Sequence, residues 1–313
     1  MTEARTVLPT DIFALVSFDG RVYANEARTW ERIGLPDRGP HPLEAALEQW
    51  FSFATGKHAW VSVKGATIQG LISARPRAKR SVWEVECLIS ATDDPGICQS
   101  LLARMSQDVT RYGAQRIFLC LPAHSRFCAS AARSGFFPYV QETLYSLDKP
   151  SPASPSPDLE VRPKVQGDMY RLYQLYSCVT PANVRSIEGV TFRDWLAAQE
   201  PWGGRRSDWL LERQGEAKAW LRYLADGNRA RLRLLLASSD QALAEDMVAF
   251  ALARLPEGMP VFSLVPSHLS SASRALQSHG FQPREEYVTL AKRVAAVEQE
   301  TVPEKAGRTI LVS

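Results

Sequence analysis

The chain has 313 residues, 45% apolar and 23% charged, with a formal net charge of +3, a balance that fits two globular domains and excludes disordered or fibrous classes. So small a charge, spread over scattered Lys and Arg residues, excludes nucleic acid as the expected partner; the densest cluster, Arg75, Arg77, Lys79 and Arg80, falls in a proline-containing stretch that reads as a solvated loop. No run approaches the ~20 apolar residues of a membrane span and no apolar signal core opens the chain, so a cytoplasmic protein without a membrane partner is expected.

In chain order, Leu43, Leu47, Trp50 and Phe51 mark an amphipathic helix. Trp60 to Ala74 reads as a hairpin around Lys64-Gly65, and Val82 to Ser90 as a further strand. Leu101, Leu102, Met105, Val109 and Tyr112 then share one helical face. Arg116 to Tyr139 holds a β-rich run, Pro122-x-His124, a small-residue helix and Gly135-Phe136. Residues Asp148 to Asp158, DKPSPASPSPD, contain four prolines and read as an extended spacer that neither helix nor strand crosses.

The order then repeats. Met169, Leu172, Tyr173 and Tyr176 mark a helix; Trp209 to Leu224 is a hairpin around Gln214-Gly215; Arg229 to Ala237 is a strand. Leu243, Met247, Val248, Ala251 and Leu255 line the next helix, and Pro260 to Arg284 again runs strand, Pro266-x-His268, helix and Gly280-Phe281. In both copies the glycine supplies the left-handed residue that ends a helix, and the phenylalanine starts the next strand toward the core. Order, spacing and position together indicate a duplication. The domains are residues 9–147 and 159–294, joined by the linker 148–158, with a polar tail at 295–313. Each half reads β-α-(α)-β-β-β-α-β-α-β: an α+β (α/β) unit with a mixed, mainly antiparallel twisted sheet flanked by helices and a parallel step near its centre.

This order resembles the acyl-CoA-dependent N-acyltransferase (GNAT) superfamily over about Pro9 to Leu147 and again over Leu159 to Arg293. The resemblance is carried by the hairpin ending in Gly70-Leu71, the strand-loop-helix at Val82 to Tyr112 and the strand-helix-GF unit. It implies acetyl-CoA or another acyl-CoA as co-substrate, lying where the fourth and fifth strands splay, with its pyrophosphate on amides at the following helix start. On this chain those positions are Ile89, Ser90, Ala91, Asp94, Gly96, Ile97, Cys98 and His124. The superfamily loop reads Gln/Arg-x-x-Gly-x-Gly/Ala. Here Gly96 matches the first glycine, whereas Asp93 and Cys98 stand in the flanking places. A carboxylate so placed competes with phosphate; unit like charges ~4 Å apart repel by roughly 4 kcal/mol at an effective dielectric near 20, before solvent screening. The second copy has no glycine there, and Ser238 with Gln241 reads as a capping box.

The tyrosine that many members use to protonate the leaving thiolate corresponds to Ala131 and Leu276, and neither donates a proton; Tyr139 substitutes only if its strand brings it round. Glu84 and Glu86 alternate onto one strand face, either as a general base for a small-molecule or peptide amine or as a solvated or interface-facing pair. Arg229, Arg231 and Arg233 form the matching stripe in the second copy, either for an anionic ligand or against the acidic stripe. His124 and His268 read as residues with a helix-start or turn role, and Cys98 as a small apolar residue or a thiol near the acyl site. The five cysteines and paired histidines show no metal-ligand spacing, so no metal is expected. The resemblance, with mycothiol synthases as tandem precedent, implies an N-acetyltransferase whose N-terminal copy is active. The alternative is a catalytically degenerate pair that binds a ligand or protein partner, and a third is an assembly protein with an exposed apolar patch near Trp195 and Trp202. Oligomeric state stays open.

Overall fold

A computed structural model describes residues 3–19, 24–34, 56–150, 153–200, 206–226, 229–237, 240–256 and 258–294. The N-terminal half runs β1 (Glu3–Thr6), α1 (Ile12–Asp19), β2 (His58–Lys64), β3 (Thr67–Pro76), β4 (Val82–Ser90), α2 (Pro95–Arg111), β5 (Arg116–Pro122), α3 (Phe127–Arg133) and β6 (Phe137–Leu147). The C-terminal half runs β7 (Val161–Pro163), α4 (Met169–Val179), α5 (Ala182–Glu188), α6 (Phe192–Ala198), β8 (Arg206–Arg213), β9 (Glu216–Asp226), β10 (Arg229–Leu236), α7 (Gln241–Leu252), β11 (Val261–Pro266), α8 (Ser270–Ser278) and β12 (Gln282–Arg293). The helix expected from Leu43, Leu47, Trp50 and Phe51, the residues Trp202, Ser238 and Ser239, and the tail 295–313 lie outside the described residues.

Local chemistry explains the repeated junctions. After α3, Phe136 N donates to Ala131 O at 3.0 Å and Gly135 N to Ala132 O at 3.0 Å; after α8, Phe281 N donates to Leu276 O at 3.1 Å and Gly280 N to Gln277 O at 2.9 Å. These are paired Schellman closures, and they need the left-handed φ of +84° at Gly135 and +85° at Gly280. Phe136 and Phe281 are both buried just beyond them. The hairpin between β8 and β9 turns on two left-handed residues, Gln214 (φ 55°) and Gly215 (φ 79°), as a two-residue primed turn requires. Leu101, Leu102, Met105 and Val109 of α2 are buried as their spacing predicts. Tyr112 differs: it lies past the helix end, 48% exposed, with its ring stacked on His58 at 4.7 Å.

The twelve strands form one sheet in the order β1-β2-β3-β4-β5-β12-β6-β11-β10-β9-β8-β7. Among the described residues, only β4/β5 and β10/β11 pair in parallel. The strand that ends each half lies in the other half's sheet: β12 pairs with β5, β6 pairs with β11, and β6 and β12 pair with each other at the centre. The cores follow the exchange. Leu290 of β12 joins the apolar cluster of Leu88, Leu101, Met105 and Leu119, and Tyr145 of β6 joins that of Leu232, Met247, Leu276 and Phe281. Each buried side chain of this size contributes roughly 1.5–3 kcal/mol, so each half is completed by the other. Two further clusters bridge the halves, one around Trp30, Leu224 and Leu264 and one around Phe118, Ile187 and Ala291.

Candidate functional site

Strands β4 and β5 pair only from Val82–Glu84 to Arg116–Phe118 and then part. The chain itself enters the gap. Asn25, 3% exposed, accepts from Leu88 N at 2.9 Å and Ala27 N at 3.0 Å through Oδ1, and donates from Nδ2 to Glu86 O at 3.1 Å. Glu26 N donates to Leu88 O at 3.1 Å and Arg28 N to Cys120 O at 3.0 Å. Farther out, Ser90 O accepts from Arg126 at 3.3 Å. Of the positions that the resemblance reserves for a thioester arm, Ser90 is thus bonded through its carbonyl to Arg126, while Ile89 pairs with Leu71 of β3 and Ala91 N donates to Gln69 O at 2.8 Å.

The helix start behind it is also satisfied internally. Asp94 caps α2 by accepting from Gly96 N at 2.8 Å, and Ile97 N donates to Asp94 O at 3.2 Å. Asp93 pairs with Arg126. Cys98 is fully buried in the core, and burial pushes its thiol up to about 12, so it is not a reactive thiolate. His124 is exposed, 3.9 Å from Glu285. It does not cap α3; Ser125 Oγ does the local work, accepting from Phe127 N at 3.2 Å. At α7 the cap is Asp240, which accepts from Ala242 N at 3.1 Å and Leu243 N at 3.3 Å, in place of the expected Ser238–Gln241 box.

Glu84 and Glu86 are both buried and both paired. Glu84 accepts from Arg75 Nε at 2.7 Å and Arg77 Nε at 3.0 Å; Glu86 lies 3.1 Å from Arg75 and 3.7 Å from Lys57. Their cations come from the neighbouring strand β3 (Arg75), the turn just after it (Arg77) and the segment before β2 (Lys57). The arginine stripe of β10 instead meets the plugging segment: Arg231 Nε donates to Ile33 O at 2.8 Å, Arg229 to Gly34 O, and Arg233 pairs with Glu200 at 3.1 Å. Trp195, one anchor of the expected exposed patch, is 2% exposed.

The second fork is different. β10 and β11 pair only from Ala230–Leu232 to Val261–Ser263, and beyond that point Leu234, Leu235, Leu264 and Val265 border a cavity of about 170 Å³. Helices α4, α5 and α6 wall one side of it, and β6 and β12 supply Tyr139, Glu142 and Thr289. Tyr139 Oη donates to Glu188 Oε1 at 3.1 Å and Tyr176 Oη to Glu188 Oε2 at 2.9 Å. Thr289 Oγ1 donates to Glu142 Oε2 at 2.6 Å. Burial raises the Glu142 carboxyl above its ordinary range, and it raises both tyrosine hydroxyls too, so these remain protonated donors. Glu200 stays ionised: Arg233, Arg77 and Arg222 outweigh its desolvation. The half-buried His268, also on the wall, is kept neutral by burial.

Of the residues singled out in the sequence, Arg77, Glu84, Tyr139, Tyr176, Trp195, Arg233, Pro266 and His268 line this cavity. Glu142, Glu188 and Glu200 went unmarked, because only the strand exchange and the turn after α6 bring them together. Tyr176 reads as core by its spacing, and it is both core and wall.

No family model matches the sequence, and no curated protein matches it either. Solved structures do match in fold. A GCN5-related N-acetyltransferase from Sphaerobacter thermophilus superposes with a TM-score of 0.52 at 15% identity, over 93% of this chain and 95% of that one. A tandem GNAT protein from the clavulanic acid biosynthesis pathway gives 0.53 at 13% identity, over 94% and 98%. A putative acetyltransferase from Pyrococcus horikoshii gives 0.52 at 12% identity, over 94% and 90%. The chain has a tandem GNAT-like fold over the 93–94% of its length that these superpositions cover; at these identities the likeness is one of fold.

Proposed function

We propose that the protein is an acyl-CoA-dependent N-acyltransferase whose C-terminal half carries the reaction, with the central cavity holding the acceptor amine. The observation behind this choice of half is the contrast between the forks: Val85 and Cys120 of the β4/β5 gap reach the cavity wall, but the edges of that gap are bonded to Asn25, Glu26 and Arg28, whereas the β10/β11 gap opens on the cavity through Leu234, Leu235, Leu264 and Val265. In this reading Glu142, its basicity raised by burial, takes the proton from the acceptor ammonium. Tyr139 and Tyr176 fix Glu188 beside it. The thioester supplies the acyl group: its carbonyl carbon bonds to the amine nitrogen, the C–S bond breaks, the nitrogen loses its second proton to solvent, and the thiolate takes a proton from solvent.

The apolar border of Leu234, Leu235 and Leu264 suits a thioester arm, but a pyrophosphate at α7 competes with the Asp240 carboxylate for the amides of Ala242 and Leu243. That competition favours the second reading, a non-catalytic tandem module that binds a ligand in the same cavity. Thermal-shift titration with acetyl-CoA separates the two. Stabilisation that survives Gly96→Glu and is lost on Leu235→Trp supports the transferase with its C-terminal cleft; no shift at millimolar acetyl-CoA or CoA leaves only the binding module.

A further inference from the structure

The lining carries four arginines, Arg28, Arg77, Arg222 and Arg233, and four glutamates, Glu84, Glu142, Glu188 and Glu200, but they are not paired one to one. Arg77 is matched by Glu84 at 3.0 Å, Arg222 by Asp208 at 2.7 Å and Arg233 by Glu200 Oε1 at 3.1 Å, while Arg28 donates to the carbonyls of Asn25 and Ala27. Glu142 and Glu188 receive hydroxyl hydrogens, from Thr289 and from the two tyrosines, and pair with no cation among the described residues. Glu200 is 7% exposed, yet its second oxygen, Oε2, has no hydrogen-bond partner among the described residues. An ionised oxygen left unpaired in such a place is costly, unless a bound donor meets it.

From this arrangement we infer that the cavity takes a small dicationic diamine, one ammonium against the Glu142–Glu188 pair and the other on Glu200 Oε2. Trp195, Trp220 and Phe118 also line the cavity, with Arg222 over the Trp220 ring at 4.5 Å and Arg77 over the Phe118 ring at 4.5 Å, and the remaining apolar surface suits a methylene chain. At about 170 Å³ the space is comparable with the roughly 150 Å³ cavity that holds benzene, which limits the ligand to a short chain. A zwitterion fits less well, because each arginine facing the cavity already has an oxygen partner.

The inference rests on the proposed function only in what the bound amine is for, so its test omits any thioester. Putrescine, butylamine and γ-aminobutyrate share one carbon chain and differ in the far end. By calorimetry with the full chain, putrescine binds at least about tenfold tighter than butylamine, the worth of one charge-assisted hydrogen bond, and γ-aminobutyrate binds weakest. Glu200→Gln removes the advantage of putrescine and leaves butylamine unchanged. Equal affinity for putrescine and butylamine, preference for γ-aminobutyrate, or no binding of any of the three overturns the inference, and none of these readouts needs a variant to fold. A diamine preference without acyl transfer to it sinks the transferase reading alone; acyl transfer to monoamines without a diamine preference sinks this inference alone.

Discussion

Glu142 and Tyr287 face each other across the central strand pair, and they occupy the same position in the two copies, each seven residues after its helix-ending glycine. An approximate two-fold relation therefore passes between them. The two have diverged in opposite senses. Tyr287 lies in the apolar cluster with Trp30 and Ile33 beside the filled fork, whereas Glu142 lies on the open one. Because the last strands are exchanged, the acid of the C-terminal cavity is encoded in the N-terminal copy. On the proposed reading, the first copy is retained as part of the second copy's site.

Glu142→Gln should lower turnover by roughly a hundredfold or more, the worth of a positioned general base, with a smaller change in KM. Stability carries an independent signature. The folded pKa of Glu142 lies above its unfolded value, so its favourable contribution is whole below the ordinary carboxylate range and is lost as pH rises through the raised pKa. The Tm of the glutamine variant should therefore gain on wild type as pH rises above the ordinary carboxylate range. A constant Tm difference through that rise removes Glu142 from the role given to it.

Asn25→Ala should destabilise the fold without touching the reaction. The change strips bonds from Leu88 N and Glu86 O, and each stranded buried group costs about 1–3 kcal/mol. Urea denaturation should show a loss of several kcal/mol at unchanged kcat per folded molecule. A fall in kcat with stability intact would return the chemistry to the N-terminal fork.

The duplication, the element order and the Gly-Phe closures were legible in the sequence because they are local: a left-handed glycine and a phenylalanine one residue later leave a fixed imprint. The strand exchange left none, since β6 and β12 satisfy the same alternation whichever sheet they join. Hence Glu142 and Thr289, brought together only by that exchange, went unmarked, and Glu84 drew attention although Arg75 and Arg77 neutralise it. Another repeat was present but overlooked. Arg5 and Asp11, and Arg162 and Asp168, keep the same spacing, and each arginine holds its aspartate through two nitrogens while the aspartate accepts a backbone N–H, from Leu8 or Val165, at 2.8 Å.

That repeated clasp is testable. Asp168 is 1% exposed, and hydrogen bonds from Arg162 hold its carboxyl down to about 2, from an ordinary 3.8. A depressed carboxylate stabilises the fold above its unfolded pKa, and that stabilisation is lost as pH falls toward about 2. Asp168→Asn should therefore cost roughly 2–3 kcal/mol at neutral pH, at ~1.4 kcal/mol per unit, and little near pH 2. Asp11→Asn should act in the same direction, since Arg5 lowers that carboxyl too. Equal melting of variant and wild type at neutral pH would mean the clasp contributes nothing net.

The exchange makes the strongest demand. A chain ending at Lys149 keeps every element of the N-terminal half but loses β12, which covers β5 through seven paired positions and brings Leu290 into the core. Its two central strands then present open edges, and unpaired edges seek other chains. The fragment should not persist as a folded monomer: light scattering with chromatography should show either a dimer, in which two copies of β6 exchange as β6 and β12 do here, or aggregate. Adding residues 150–313 as a separate chain should restore a one-to-one complex with near-ultraviolet circular dichroism like that of the intact protein. A monomeric fragment that melts cooperatively by itself would show that each half closes its own sheet, and the composite origin assigned to the Glu142 cavity would fall with it.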